Sequence, residues 1–123
     1  MGKVTVERVR EYVKEDRRRG SAVVFLVDRV WPRGVAKKDL DVDAWVKEVA
    51  PSTDLRKWFN HDPQRWPEFR RRYLDELDEH SDVAQPLLDA LREGDVLLLF
   101  DAKDFAHNQA VVLADWLRDR SEL

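Results

Sequence analysis

Cysteine is absent from this chain. That excludes disulfides, thiolate zinc sites and a cysteine nucleophile. Histidine is scarce: there are three, with no H-x-H or H-x-x-x-H spacing. A metal site would therefore need His, Asp or Glu ligands that only the fold could gather. No G-x-S-x-G elbow, Walker loop or G-x-G-x-x-G occurs, which removes the usual sequence devices for a serine hydrolase or a nucleotide-binding loop. Positive charge is not in excess. The net charge is −3 and the pI about 5.6, so no global field draws the chain to nucleic acid or an anionic membrane. The longest apolar runs, Ala22 to Val27 and Val96 to Phe100, fall far below the ~20 residues that span a bilayer. The start of the chain, Met1 to Arg8, alternates and carries charge, unlike a signal peptide, and a cytoplasmic location is expected. With only 4 Gly and 5 Pro, the connections should be short.

What is present is enough for one domain. The 123 residues are 43% hydrophobic, which suffices for a core without a staple. A single domain over residues 1–123 is expected, with its core over about residues 3–118. Val4 to Val9 alternates as a half-buried strand does. Glu11 to Arg19 is dense in charge and reads as a loop. Ala22–Val27 and Val96–Phe100 are continuously apolar, the pattern of strands covered on both faces in a parallel sheet. Val42, Trp45, Val46 and Val49 fall at i, i+3, i+4, i+7 and predict a helix that Pro51 ends. Ser52 caps a short helix carrying Leu55, Trp58 and Phe59. Asp62-Pro63 starts a longer one with Trp66, Phe69, Tyr73 and Leu77 inward. Val83, Leu87, Leu88 and Leu91 mark a helix closed by Gly94, and Phe105, Val112, Leu113, Trp116 and Leu117 mark the last. The expected class is α/β: a small, mostly parallel sheet of about three strands surrounded by helices.

Open α/β sheets bind ligands beyond the carboxyl ends of their strands. That rule selects Asp28 to Val35 and Asp101 to Asn108. If the two apolar strands are parallel neighbours, Asp28 and Asp101 share one edge and serve as acid/base or orienting groups, with His107 as a third catalytic candidate. Arg29, Arg33 and Lys103 line a cationic rim, Arg56 can add a bidentate contact, and Asn108 can hydrogen-bond a ligand. Trp31, bracketed by Arg29 and Arg33, is expected in the site and not in the core. Bland readings stand beside these. Asp101 or Asp104 can be an ordinary N-cap. His61 can be a general base or a surface turn residue. Arg17-Arg18-Arg19 and Arg70-Arg71-Arg72 can touch phosphates or simply form solvated faces.

The stretch Val27-Asp28-Arg29-Val30-Trp31-Pro32-Arg33-Gly34, with Ala50-Pro51-Ser52, Leu55-Arg56-Lys57-Trp58-Phe59, Ala102-Lys103-Asp104 and His107-Asn108, resembles the family catalogued as domain of unknown function 488, in its short YeaO-like branch. The resemblance runs over about residues 3–118, and V-D-R-x-W-P-R-G is its most specific stretch. It implies a small bacterial or archaeal cytoplasmic α/β protein with no established reaction, so it carries motif positions and no catalytic roles. Glu11–Arg19 departs from the family pattern, where a Pro-containing loop is usual. Three functional readings follow. The first is a small anionic or polar ligand at the strand ends, with or without a reaction and with no cofactor. The second is a divalent or iron-type metal held by His61, His107 and Asp101. The third is an interaction module touching RNA or a protein partner through its Arg-rich face.

Overall fold

The structure, a computed structural model, describes residues 2–15 and 22–121. In chain order the elements are β1 (Val4–Arg8), α1 (Val9–Glu15), β2 (Val23–Leu26), β3 (Ala44–Trp45), α2 (Thr53–Phe59), α3 (Trp66–Glu79), α4 (Gln85–Glu93), β4 (Val96–Phe100) and α5 (Gln109–Ser121). The strands pair in the order β1-β4-β2-β3, every pair parallel. The sheet thus has one strand more than the sequence suggests, and the addition is the two-residue β3.

Successive side chains of a strand point to opposite faces, and the two cores divide accordingly. Phe25, Val27, Val96, Leu98 and Phe100 pack with Phe59, Phe69, Tyr73, Leu87, Leu113 and Leu117 of α2 to α5. Val24, Leu26, Leu97 and Leu99 pack with Val9 and Tyr12 of α1 and with Leu40, while Trp31 and Trp45 lie half-buried against them. Cover on both faces is why β2 and β4 read as unbroken apolar runs. Local chemistry sets several helix ends. Leu55 N–H donates to Ser52 Oγ at 3.2 Å, and Ser52 donates from its N–H and hydroxyl to the Glu76 carboxylate at 2.8 and 2.6 Å. The start of α2 is thereby fixed to α3.

Four expectations are corrected. The segment from Glu11 is helical through Glu15, because Val9 and Tyr12 fall three apart and bury on the sheet; residues 16–19, including Arg17-Arg18-Arg19, lie outside the described residues. The helix expected on Val42, Trp45, Val46 and Val49 is instead β3 followed by a 3₁₀ turn, Lys47–Val49. Its apolar residues divide between the two faces of the sheet: Val42 and Trp45 go to one core, Val46 and Val49 to the other. Asp62-Pro63 opens a 3₁₀ turn, with Gln64 N–H on Asp62 Oδ1 at 3.0 Å, and α3 begins only at Trp66. Phe105 precedes α5 and is 59% exposed. No described helix is long and apolar enough to cross a membrane.

Candidate functional site

The register pairs Leu26 with Leu99, so β2 and β4 end side by side. Asp28 and Asp101 follow at one edge, as the apolar runs predict. Asp101 N–H donates to Asp28 Oδ2 at 2.9 Å, and the Gln109 side-chain amide donates to Asp28 Oδ1. Trp45 Nε1 donates to the Asp28 carbonyl at 2.7 Å. Burial pushes the Asp28 carboxyl up to about 6, and the negative charge of Asp101 adds to this; the two hydrogen bonds and the nearby Arg56 oppose it.

Three arginines brace the loops around this pair. Arg10 donates from Nε to Asp101 Oδ1 at 3.1 Å and from Nη2 to the Arg33 carbonyl at 2.8 Å, so one side chain clasps both strand-end loops. Arg8 Nε reaches the carbonyls of Asp101 and Ala102 at 3.3 and 3.1 Å. Arg29 reaches those of Ala50 and Pro51 at 3.0 and 3.3 Å, fixing the loop after β2 to the entry of α2.

Between the braced loops and α2 lies a cleft of about 870 Å³. Its lining includes Trp31, Phe59 and Phe69 as apolar surface and Arg33, Arg56, Lys57 and Lys103 as cations. None of these four cationic side chains has a hydrogen bond or ion pair among the described residues. Asn60 and His61 also border the cleft, both in the left-handed region, at φ 49° and 55°. Non-glycine residues pay a steric cost there, and such strain gathers at functional sites.

The far wall is the turn before α5. Asp104 Oδ1 accepts the N–H groups of Ala106 and His107, each at 2.9 Å, and Asp104 Oδ2 lies 2.8 Å from His107 Nδ1. These bonds, the Ala106 N–H foremost and then the imidazole, hold the Asp104 carboxyl below its ordinary range. The His107 ring stands edge-on to Trp66 at 5.1 Å. Asn108, 2% exposed, gives its amide N–H to the Asp104 carbonyl at 2.9 Å and takes Val111 N–H on Oδ1 at 3.1 Å. It is the N-cap of α5, and both ends of its amide are engaged there.

The cleft therefore gathers Asp28, Arg29, Trp31, Arg33, Arg56, His61, Asp101, Lys103, His107 and Asn108 around one space. Trp31 belongs both to the cleft and to a core, since it packs on Trp45 at 5.5 Å and donates from Nε1 to the Val35 carbonyl at 2.6 Å. The metal set is not assembled. No group of three His, Asp or Glu side chains among the described residues could hold an ion. The Asp101 carboxylate turns to Arg10, and His107 Nδ1 to Asp104. On α3, Arg70, Arg71 and Arg72 pair with Asp115, Glu68 and Asp75, so this face is charge-balanced. Sequence reasoning missed Arg8, Arg10, Lys57 and Gln109. The strand-end rule applied to β1 would have found the first two, since they close and follow that strand.

Residues 3–122 match the family described as the inactive DUF488-N3 subclade. Over 94 residues the chain is 47% identical to the uncharacterised protein YeaO of Escherichia coli, covering 76% of this chain and 82% of that one. Over 118 residues it is 39% identical to an uncharacterised protein of Mycobacterium tuberculosis, covering 96% of each. No solved structure matches significantly.

Proposed function

We propose that this chain, which belongs to the DUF488 family in its inactive N3 subclade, is a binding protein whose strand-end cleft holds a small anionic ligand without turning it over. The observation that carries this reading is the set of four cations, Arg33, Arg56, Lys57 and Lys103, that line one cleft without partners among the described residues. On a chain of net charge −3, these cations, with no hydrogen bond or ion pair of their own among the described residues, give an anion a local attraction that the chain as a whole does not. The volume, about 870 Å³, lies within the roughly 300–1,000 Å³ of small-molecule sites. Two further facts favour binding over turnover. The subclade's description is inactive. Neither strand-end acid is free: Asp28 accepts from Asp101 and Gln109, and Asp101 pairs with Arg10.

Thermal unfolding in inorganic phosphate and sulfate tests the proposal. A ligand bound only by the folded state stabilises by ~2.7 kcal/mol at a hundredfold excess over its Kd. The melting temperature rises with either ion, and Arg33→Ala abolishes the rise. An unchanged melting curve at tens of millimolar of both ions overturns the proposal.

A further inference from the structure

We infer that the anion taken by this cleft has an organic part that carries hydroxyl groups, as in a hydroxylated phosphate ester, with His107 Nε2 accepting a hydrogen bond from one of them. The inference rests on the anion-binding reading and adds the class of ligand. Asp104 is fixed by two backbone N–H groups and is ionised at neutral pH, so it can only accept from His107. The shared proton therefore sits on His107 Nδ1, at 2.8 Å from Asp104 Oδ2. In the neutral ring the other nitrogen is then a lone-pair acceptor. It has no partner among the described residues, although the ring is held by Asp104 on one side and by Trp66, at 5.1 Å, on another.

The cleft thus presents two kinds of open group: exposed cations that can take an anion, and an oriented acceptor that can take a donor. A fully ionised phosphate monoester has no donor on its phosphorus, so the donor has to come from its organic part. The room exists, because about 870 Å³ far exceeds a phosphate group. Trp31, half-buried at the cleft wall, offers apolar surface for a short carbon skeleton.

Calorimetric titration at about pH 8, where imidazole is neutral and a phosphate monoester fully ionised, with glycerol 3-phosphate and with n-propyl phosphate isolates this claim, because the two share charge and carbon count and differ in hydroxyls. The native protein binds glycerol 3-phosphate roughly tenfold more tightly, a factor equal to about 1.4 kcal/mol and of the size of one net hydrogen bond. In His107→Phe the acceptor is lost, so the ratio of the two affinities falls to about one. The circular dichroism spectrum and melting temperature of the variant report that it is folded. Asp104→Asn, which frees the tautomer, shrinks the preference as well. Equal affinity in the native protein, or a preference that survives His107→Phe, overturns this inference and leaves anion binding standing. Failure of both esters and of inorganic phosphate to bind overturns both.

Discussion

The Asp28 carboxylate receives the Asp101 backbone N–H at 2.9 Å, so the half-buried acid at the end of one strand anchors the loop that leaves its neighbour. The arrangement has a pH signature. Desolvation pushes the Asp28 carboxyl up to about 6 from an ordinary 3.8, so the folded chain holds this proton more tightly than the unfolded one. Its contribution to stability is fullest below pH 3.8, falls as pH rises towards 6, and is level above that.

In urea unfolding, Asp28→Asn should therefore gain on the native protein as the pH is raised across that interval, by up to about 3 kcal/mol. The Gln109 amide can rotate to present its oxygen to the new side chain. Titrating groups remote from Asp28 cancel in the difference between the two proteins, and Asp101, which repels the Asp28 charge, adds to the change in the same direction. A difference that stays constant with pH would show that Asp28 is not held as a buried acid.

Arg10 joins the two loops yet leaves 41% of its side chain exposed. A pair this exposed contributes at most ~1 kcal/mol to stability. Arg10→Ala should accordingly unfold close to the native melting temperature while losing most of the phosphate-induced rise. Arg10→Lys should not restore it, since an ammonium lacks the planar fork that reaches Asp101 and the Arg33 carbonyl together. A full phosphate response in Arg10→Ala would mean that the cleft keeps its shape without the clasp.

Trp116 is 4% exposed and donates from Nε1 to Asp78 at 2.9 Å, whereas Trp31 is half-buried at the cleft wall. Trp116→Ala should cost ~3–5 kcal/mol. Trp31→Ala should cost clearly less in the same urea titration while weakening phosphate binding. Equal costs would assign Trp31 to the core alone.

The parts of the fold legible in the sequence were those with one dominant signal. Two unbroken apolar runs named the central strands, and the strand-end rule then named Asp28, Arg33, Lys103 and His107 without any motif. The Val42–Val49 segment misled because its spacing imitates one face of a helix, while its residues in fact straddle the edge of the sheet and serve both cores. Short apolar runs are ambiguous in this way. Lys57 and Gln109 sit on helices with no local mark. Only the parallel pairing of β1 and β2 with β4 brings them to the cleft, and sequence spacing does not encode that pairing.

The central strand is also the last to be made. β4 lies between β1 and β2, although its residues follow theirs by most of the chain length. Before Val96–Phe100 is in place, β1 has no neighbour and β2 has only the two-residue contact with β3. The sheet therefore cannot zip progressively as the chain leaves the ribosome. An amino-terminal fragment ending ahead of Val96 has no sheet to join, and it leaves the apolar segment Val23–Val27 uncovered for as long as synthesis lasts. Parallel pairings this distant in sequence make folding slow and expose such intermediates to aggregation. Closure of the sheet, and with it the meeting of the two strand-end loops at the cleft, therefore waits on the arrival of β4.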